Sequence, residues 1–202
     1  YGLYYSHVDK FKLVGFSDSD WGSNLDDRKS TSGQCFSLGS GLVTWSSKKQ
    51  STVALSSCEA EYIALTVASA QALWLRKLLD EIGEKQHGPT ILYYDNQSAI
   101  QLAHSRSKHF QLKYHFIRDM VEKDQIELHY CNTKINLADI FTKGVVQAQY
   151  VMLRDSMVSP LCIKGENVDN LASNSRQLGL SCQFWEKLIA FRLASTIDQP
   201  AL

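Results

Sequence analysis

The alternation of apolar and polar residues predicts strands in the first quarter of the chain. Residues 12–19 form a short run of β-favouring residues that ends at acidic side chains, and residues 34–38 and 42–46 form two further runs. Glycine-rich residues 39–41 between the last two runs predict a hairpin turn. The polar residues 24–33 predict a loop. We therefore expect three consecutive antiparallel strands.

The clearest predicted helix begins after Ser56. Ser56 and Glu59 have the spacing of a capping box, in which the two residues satisfy each other's free backbone N–H groups. Helical spacing then continues to Ile82, and Gly83 is a typical C-terminal cap. Glu61 lies one turn into this helix, in line with an apolar face. That face comprises Leu65, Ala68, Ala72, Leu75 and Leu79.

The following part of the chain alternates strand and helix patterns. Residues 90–94 and 126–131 predict strands, and residues 96–103, 110–123 and 136–144 predict helices. This order favours parallel strands that are joined by right-handed crossovers. A meander followed by such units gives an α/β fold, in which a mixed sheet carries helices on its faces.

The composition is typical of a globular protein, but it does not indicate a binding partner. The chain has 202 residues, 44% of them hydrophobic, which is enough for a sizeable core. Lysine plus arginine and aspartate plus glutamate both number 21, so any nucleic-acid footprint must be local. Five scattered cysteines predict neither disulfides nor a zinc site, and favour an intracellular setting. We see no secretion signal and no apolar run of about 20 residues, and the start without methionine suggests a fragment or a processed product.

Four acidic residues stand where a shared site could form. Asp18 and Asp95 follow predicted strands, and Glu61 and Asp139 lie in the first turns of predicted helices. Binding sites in α/β sheets form beyond strand ends, and clustered carboxylates persist together when they bind cations or share protons. Oxygen ligands favour Mg²⁺ or Mn²⁺, and two such ions support phosphodiester hydrolysis. The alternative is that each acid only caps a turn or a helix.

Ordered motifs over about residues 1–155 resemble one known family. In chain order they are GFSDSDW at 15–21, DRKSTSG at 27–33, WSSKKQ at 45–50, SSCEAEY at 56–62, DN at 95–96, RSKH at 106–109, HFIR at 115–118 and ADIFTK at 138–143. They resemble the ribonuclease H domain of copia-type LTR retrotransposon Pol polyproteins. The resemblance implies a ribonuclease H-like fold, with a five-stranded mixed sheet of order 3-2-1-4-5 and helices on both faces.

The resemblance also implies a catalytic site and its metals. The implied catalytic residues, which would also bind two Mg²⁺ ions or Mn²⁺ in their place, are Asp18, Glu61, Asp95 and Asp139. Asp20 and Glu59 are close alternatives. Asp18 is preferred because it directly follows the strand, and Glu61 because an apolar helical run follows it. The loop at 132–136 lacks the histidine of many ribonucleases H, and His129 is expected in a strand outside the catalytic set.

The implied activity is hydrolysis of the RNA strand of RNA–DNA hybrids during retrotransposon replication. A catalytically silent remnant that binds nucleic acid is the alternative. A transposase or integrase is disfavoured because the glutamate precedes the second aspartate. Polar groups near the site and a local basic patch are the expected nucleic-acid contacts, although solvation of a helix surface also explains the patch. The residues expected to contact nucleic acid are Asn24, Ser57, Gln97, Arg106, Lys108, His109, Lys113 and Arg118.

The expected organisation has three parts. Residues 1–11 would end a polymerase-connection segment, residues 12–157 would form the ribonuclease H-like domain, and residues 158–202 would be a tail of unknown role. Residues 183–194 in the tail fit one amphipathic helix. The implied partners are an RNA–DNA hybrid and a reverse transcriptase domain of the parent polyprotein, with no membrane. The expected location is the cytoplasm, a virus-like particle or the nucleus.

Overall fold

The computed structural model describes residues 12–96 and 112–158, with side chains from residue 115 in the second range. These ranges contain five strands, three α-helices and two short 3-10 helices. The strands are β1 (Leu13–Asp20), β2 (Thr31–Leu38), β3 (Gly41–Lys49), β4 (Thr90–Tyr94) and β5 (Ile126–Tyr130). The helices are α1 (Ser57–Glu81), α2 (Leu112–Glu122), the 3-10 helices Thr133–Ile135 and Leu137–Phe141, and α3 (Gln147–Val158).

The strands form one mixed sheet of order β3-β2-β1-β4-β5. The pairs β1–β2 and β2–β3 are antiparallel, whereas β1–β4 and β4–β5 are parallel. This confirms the predicted order 3-2-1-4-5. The first three strands form a meander, and β1 also pairs with β4 in the interior of the sheet. The ends of β1 and β4 therefore lie side by side.

Both faces of the sheet are covered. On one face, Leu13, Phe36 and Leu92 pack against buried residues of α1 and α2. On the other face, Phe16 and Cys35 lie in a second cluster with residues of Leu137–Phe141 and α3. The alternation along the strands sends successive side chains into opposite cores. The expectation of helices on both faces is therefore confirmed.

Helix α1 has caps at both ends. The Ser56 hydroxyl accepts a hydrogen bond from the Glu59 backbone N–H at 3.1 Å, and the Glu59 carboxylate accepts from the Leu55 N–H at 2.8 Å. At the other end Gly83 has φ +90°, a conformation that favours glycine, and the Glu84 N–H donates to the Leu79 carbonyl at 2.7 Å. Glu59 therefore serves the cap and not the acidic cluster.

Some predictions of local structure were wrong. The helix predicted at 136–144 is only the 3-10 helix Leu137–Phe141, and α3 occupies residues where we predicted no helix. Periodicity did not reveal α3 because apolar side chains such as Val151 and Met152 are exposed on its outer side. The helix predicted at 96–103 falls on residues that, except for Asn96, are not described.

Two tryptophans are substantially exposed. Trp45 is 50% exposed because it lies on β3, an edge strand of the sheet. Trp74, on α1, is 40% exposed. Within the described ranges, the helices are too short or too polar to cross a membrane.

Candidate metal and nucleic-acid site

The ends of β1 and β4 bring two of the predicted carboxylates together. The strands run parallel, with Phe16 opposite Tyr93. Asp18 lies two residues further along β1 and Asp95 two residues further along the other chain segment, so both emerge at the same edge. Asp18 is buried, with 1% of its surface exposed, and Asp95 is half-buried.

Helix α1 supplies the third carboxylate. Glu61 belongs to the buried face of α1 and is 8% exposed. Asp18, Glu61 and Asp95 each offer an oxygen, and these oxygens lie within 4.8 Å of one another. We call these three residues the open group. A strand, a helix and a loop of distant sequence position thus meet at one point.

Asp139 lies beside the open group and is not part of it. It belongs to the 3-10 helix Leu137–Phe141 and is fully buried. The Lys143 ammonium stands between Asp139 and Asp18, with Nζ at 3.2 Å from Asp139 Oδ1 and 3.7 Å from Asp18 Oδ2. Lys143 therefore links the fourth carboxylate to the open group.

Asn136 fixes the short helix that carries Asp139. Its side chain is fully buried; Nδ2 donates to the Ser17 carbonyl of β1 at 3.0 Å, and Oδ1 accepts from the Ala138 N–H at 3.1 Å. The first bond ties the helix to the strand that bears Asp18. The second caps the helix. Asn136 thereby sets the position of Asp139 relative to Asp18.

Close packing against β2 completes this side of the site. Gly33 lies opposite Asp18 in the β1–β2 register. A Cβ atom on Gly33 would lie 2.6 Å from Thr142 Cγ2 and 2.9 Å from the Ala138 carbonyl oxygen, so only glycine permits this approach. The approach lets the Thr142 hydroxyl donate a hydrogen bond to Asp18 Oδ2.

A second threonine orients Asp95. Thr133 begins the 3-10 helix Thr133–Ile135, and its hydroxyl donates to Asp95 Oδ2 at 3.0 Å. The side chain of Asn132 caps that helix by accepting from the Lys134 N–H at 2.9 Å. The chain after β5 therefore supports Asp95, just as the chain around Thr142 supports Asp18.

Burial and mutual repulsion make this cluster costly to ionise. Burial, followed by the charges of Asp18 and Asp95, raises the pKa of Glu61 to about 9. Burial and the Asp18 charge raise the pKa of Asp139 to about 7. Burial also raises the pKa of Asp18, although the Thr142 hydrogen bond and the Lys143 charge oppose the shift. Within the described ranges, the positive charge of Lys143 is therefore too small to offset the burial and repulsion of these carboxylates.

The chemistry of the donor set fits a divalent cation. Asp18 Oδ1 and Glu61 Oε2 are buried, and neither has a hydrogen-bond partner in the described part of the chain. Buried carboxylate oxygens without partners are unfavourable unless another group neutralises them. Oxygen-only donors of this kind suit Mg²⁺ or Mn²⁺.

The predicted nucleic-acid contacts are placed only in part. Asn24 lies in the loop after β1, where its side-chain oxygen accepts from the N–H groups of Asp26 at 3.0 Å and Asp27 at 3.2 Å. Ser57 is exposed at the start of α1, one turn before Glu61. Arg118 is half-buried on α2. Gln97, Arg106, Lys108 and His109 lie outside the described residues, as does the side chain of Lys113.

Sequence reasoning missed the residues that support the carboxylates. Thr142 and Lys143 stand at the end of the ADIFTK motif, so their place directly after Asp139 was a usable signal. Thr133 and Asn136 were read as parts of a short loop. Nothing in their local sequence marks them, because their partners lie on β1 and after β4.

A mixed sheet of order 3-2-1-4-5, with acidic residues at the ends of its two central strands, defines the ribonuclease H class of fold. Among solved structures, the chain is similar to LC11-RNase H1 in complex with RNA/DNA hybrid (14% identity, TM-score 0.49, 65% of this chain and 94% of that one). It is also similar to RNase H1 of Halobacterium salinarum (17% identity, TM-score 0.45, 64% and 92%). No protein-family model matches the sequence.

Curated relatives identify the family. The chain is 38% identical over 148 residues to the retrovirus-related Pol polyprotein from transposon TNT 1-94 of Nicotiana tabacum, which covers 71% of this chain and 11% of that protein. The polyprotein from transposon RE2 of Arabidopsis thaliana is 38% identical over 155 residues, covering 74% and 11%. The chain thus spans about a tenth of these relatives. It belongs to the family of retrovirus-related Pol polyproteins of transposons, and its sheet has the strand order of the ribonuclease H class.

Proposed function

We propose that this chain is a divalent-cation-dependent endonuclease that hydrolyses the RNA strand of RNA–DNA hybrids, as the ribonuclease H domain of a copia-type Pol polyprotein. One observation carries the proposal: Asp18, Glu61 and Asp95 come from three separate elements and present oxygens within 4.8 Å of one another. Two of these acids are buried, and each has an oxygen without a hydrogen-bond partner among the described residues. Such an arrangement is costly for a purely structural role.

Asp18, Glu61, Asp95 and Asp139 would hold the cations. When bound, two Mg²⁺ ions would supply an activated water and would stabilise the leaving oxygen of a phosphodiester. The chain's own residues hold the carboxylates ready for them. Thr142 and Thr133 each donate a hydrogen bond to one acid, which fixes its orientation before any ligand arrives.

The proposed substrate follows from the family and from the surface beside the open group. The relatives are Pol polyproteins of transposons, whose name points to replication of nucleic acid. Ser57, exposed one turn before Glu61, would contact a 2′-hydroxyl, the group that distinguishes an RNA strand. Arg118 and the basic residues 106–113 would contact phosphates. We also propose residues 12–157 as the domain, working beside a polymerase in the parent polyprotein.

The test is cleavage of a labelled RNA–DNA hybrid with and without Mg²⁺. Asp18→Asn and Asp95→Asn should each lower the cleavage rate by at least about a hundredfold, as expected when a group that stabilises the transition state is lost. Asp80→Asn is the matched control, because Asp80 is exposed at the far end of α1. It should cleave like the parent chain.

Three results would contradict the proposal. Full activity of folded Asp18→Asn or Asp95→Asn would remove these residues from the site. Binding of the hybrid without cleavage by the parent chain would favour a catalytically silent nucleic-acid-binding module. Strand transfer on DNA, in place of RNA cleavage, would indicate a transposase or integrase. Circular dichroism of each variant verifies that the fold is retained.

A further inference from the structure

The four carboxylates are not equivalent, because one cation of the protein already stands among them. Lys143 follows Asp139 by one helical turn, and its Nζ atom lies 3.2 Å from Asp139 Oδ1 and 3.7 Å from Asp18 Oδ2. Both carboxylates are at most 1% exposed, whereas the Lys143 side chain is 34% exposed. The ammonium therefore enters the buried cluster from its solvent side.

The two oxygens of Asp18 have different surroundings. Oδ2 accepts the Thr142 hydroxyl and faces the Lys143 ammonium. Oδ1 is buried and has no hydrogen-bond partner among the described residues. The cluster is therefore divided into the open group of Asp18, Glu61 and Asp95, and a closed side where Lys143 bridges Asp18 and Asp139.

We propose that the Lys143 ammonium takes the place of a second divalent cation between Asp18 and Asp139, so that the cluster binds one cation at the open group and admits another only when Lys143 moves away. Lys143 is thus a positioning residue that sets the order and the affinity of cation binding. This inference rests on the proposed function. It adds that the Lys143 ammonium and a divalent cation compete for the same position between Asp18 and Asp139.

Charge explains why the exchange is possible. A single ammonium beside two carboxylates at 3.2 and 3.7 Å is attracted strongly in a buried setting. A divalent ion brings twice that charge and can displace it, but the displacement lowers the affinity for the second ion. Among the described residues, no basic side chain forms an ion pair with Glu61 or Asp95, so the two sites should differ in affinity.

The local structure permits Lys143 to leave without unfolding its neighbours. Its long side chain is one-third exposed, so the ammonium can turn outward into water. The hydrogen bond from Asn136 that anchors the 3-10 helix to β1 and the packing of Thr142 against Gly33 do not involve the Lys143 side chain. Only the lysine side chain needs to move.

The experiment measures Mn²⁺ binding without nucleic acid, by isothermal titration calorimetry and by the electron paramagnetic resonance signal of free Mn²⁺. Lys143→Met removes the charge and keeps most of the side-chain volume. The control is Lys77→Met, an exposed lysine on α1 that lies 16 residues beyond Glu61, or about 24 Å along the helix. Lys143→Arg retains the charge and tests whether charge, rather than shape, is responsible.

The parent chain and Lys77→Met should bind one Mn²⁺ ion tightly and a second one weakly. Lys143→Met should bind the second ion more tightly by on the order of tenfold, with a smaller gain at the first site. Lys143→Arg should resemble the parent chain. An unchanged second affinity in folded Lys143→Met, or an equal gain at both sites, would overturn this inference while leaving the proposed function in place. Absence of any binding to the parent chain at millimolar Mn²⁺ would overturn both.

Discussion

At the scale of single residues, the acidic side chains that would serve the activity lower the stability of the metal-free fold. Glu61 is buried one turn into α1, on a helix face that carries mainly apolar side chains. Its ionised form is disfavoured by burial and by the neighbouring charges of Asp18 and Asp95. Functional sites commonly break local rules of stability in this way. A change that removes the charge should therefore stabilise the metal-free chain and abolish its activity.

We predict that Glu61→Gln unfolds at a higher denaturant concentration than the parent chain in EDTA. Because the folded pKa of about 9 lies above the usual 4.5, the folded chain binds this proton more tightly than the unfolded chain does. Metal-free stability therefore falls as pH rises from about 4.5 towards 9, and the advantage of the glutamine grows over that window. At pH 7 it should be on the order of 1–3 kcal/mol.

Urea unfolding in EDTA at several pH values measures this difference, and hybrid cleavage in Mg²⁺ should be lost in the same variant. Glu81→Gln is the control, because Glu81 is exposed at the end of the same helix. It should leave both stability and cleavage unchanged. A Glu61→Gln chain that is less stable than its parent at pH 7 and above would contradict the electrostatic argument.

The residues themselves were only partly predictable. Asp18, Glu61 and Asp95 could be selected from sequence because each stands at a recognisable boundary of a strand or on a helix face. The motif marks the position of Lys143, but the roles of Lys143 and Asn136 appear only in their contacts with Asp18 and with the Ser17 carbonyl. Those contacts cross more than a hundred residues of chain, which no local pattern encodes.

At the scale of elements, the distance between β2 and the 3-10 helix Leu137–Phe141 controls the site. Gly33 on β2 lies opposite Asp18 and directly beneath Thr142 and the Ala138 carbonyl. The prediction of an ordinary helix at 136–144 was wrong because Asn136 caps the segment against β1 and the helical hydrogen bonds end near Thr142. The strands and α1, by contrast, followed from local periodicity and caps.

We predict that Gly33→Ala separates these two elements. The new methyl group would lie within 2.6 Å of Thr142 Cγ2 and 2.9 Å of the Ala138 oxygen, so the 3-10 helix must shift. Overpacking of this kind costs about 1–3 kcal/mol of unfolding free energy. The shift should also weaken the Thr142–Asp18 hydrogen bond and lower cleavage. Urea unfolding and hybrid cleavage are the measurements.

Gly144→Ala provides the matched control for this substitution. Nothing lies within 4 Å of the position that a Cβ atom would take at Gly144, which is only two residues beyond Thr142. This variant should match the parent chain in stability and cleavage. If Gly33→Ala behaved like Gly144→Ala in both assays, the close approach would have no role in forming the site.

At the scale of the whole molecule, the topology produces the cluster. The pairing of β1 with β4 across the sheet places Asp18 and Asp95 at one edge, and α1 crosses that edge with Glu61. Periodicity in the sequence predicted a mixed sheet but not which strands are neighbours, because strand pairing is a long-range property. The order 3-2-1-4-5 came from the resemblance of the motifs, and the structure confirms it.

The most direct test of the whole account is a crystal structure of the chain grown with millimolar Mn²⁺, using anomalous scattering to locate the ion. We expect an anomalous peak within about 2–2.3 Å of oxygens from Asp18, Glu61 and Asp95 together, as oxygen ligation of such an ion requires. The same crystals of Asp18→Asn should lack the peak. Well-ordered carboxylates with no anomalous peak between them, or a peak held elsewhere on the chain, would contradict the account.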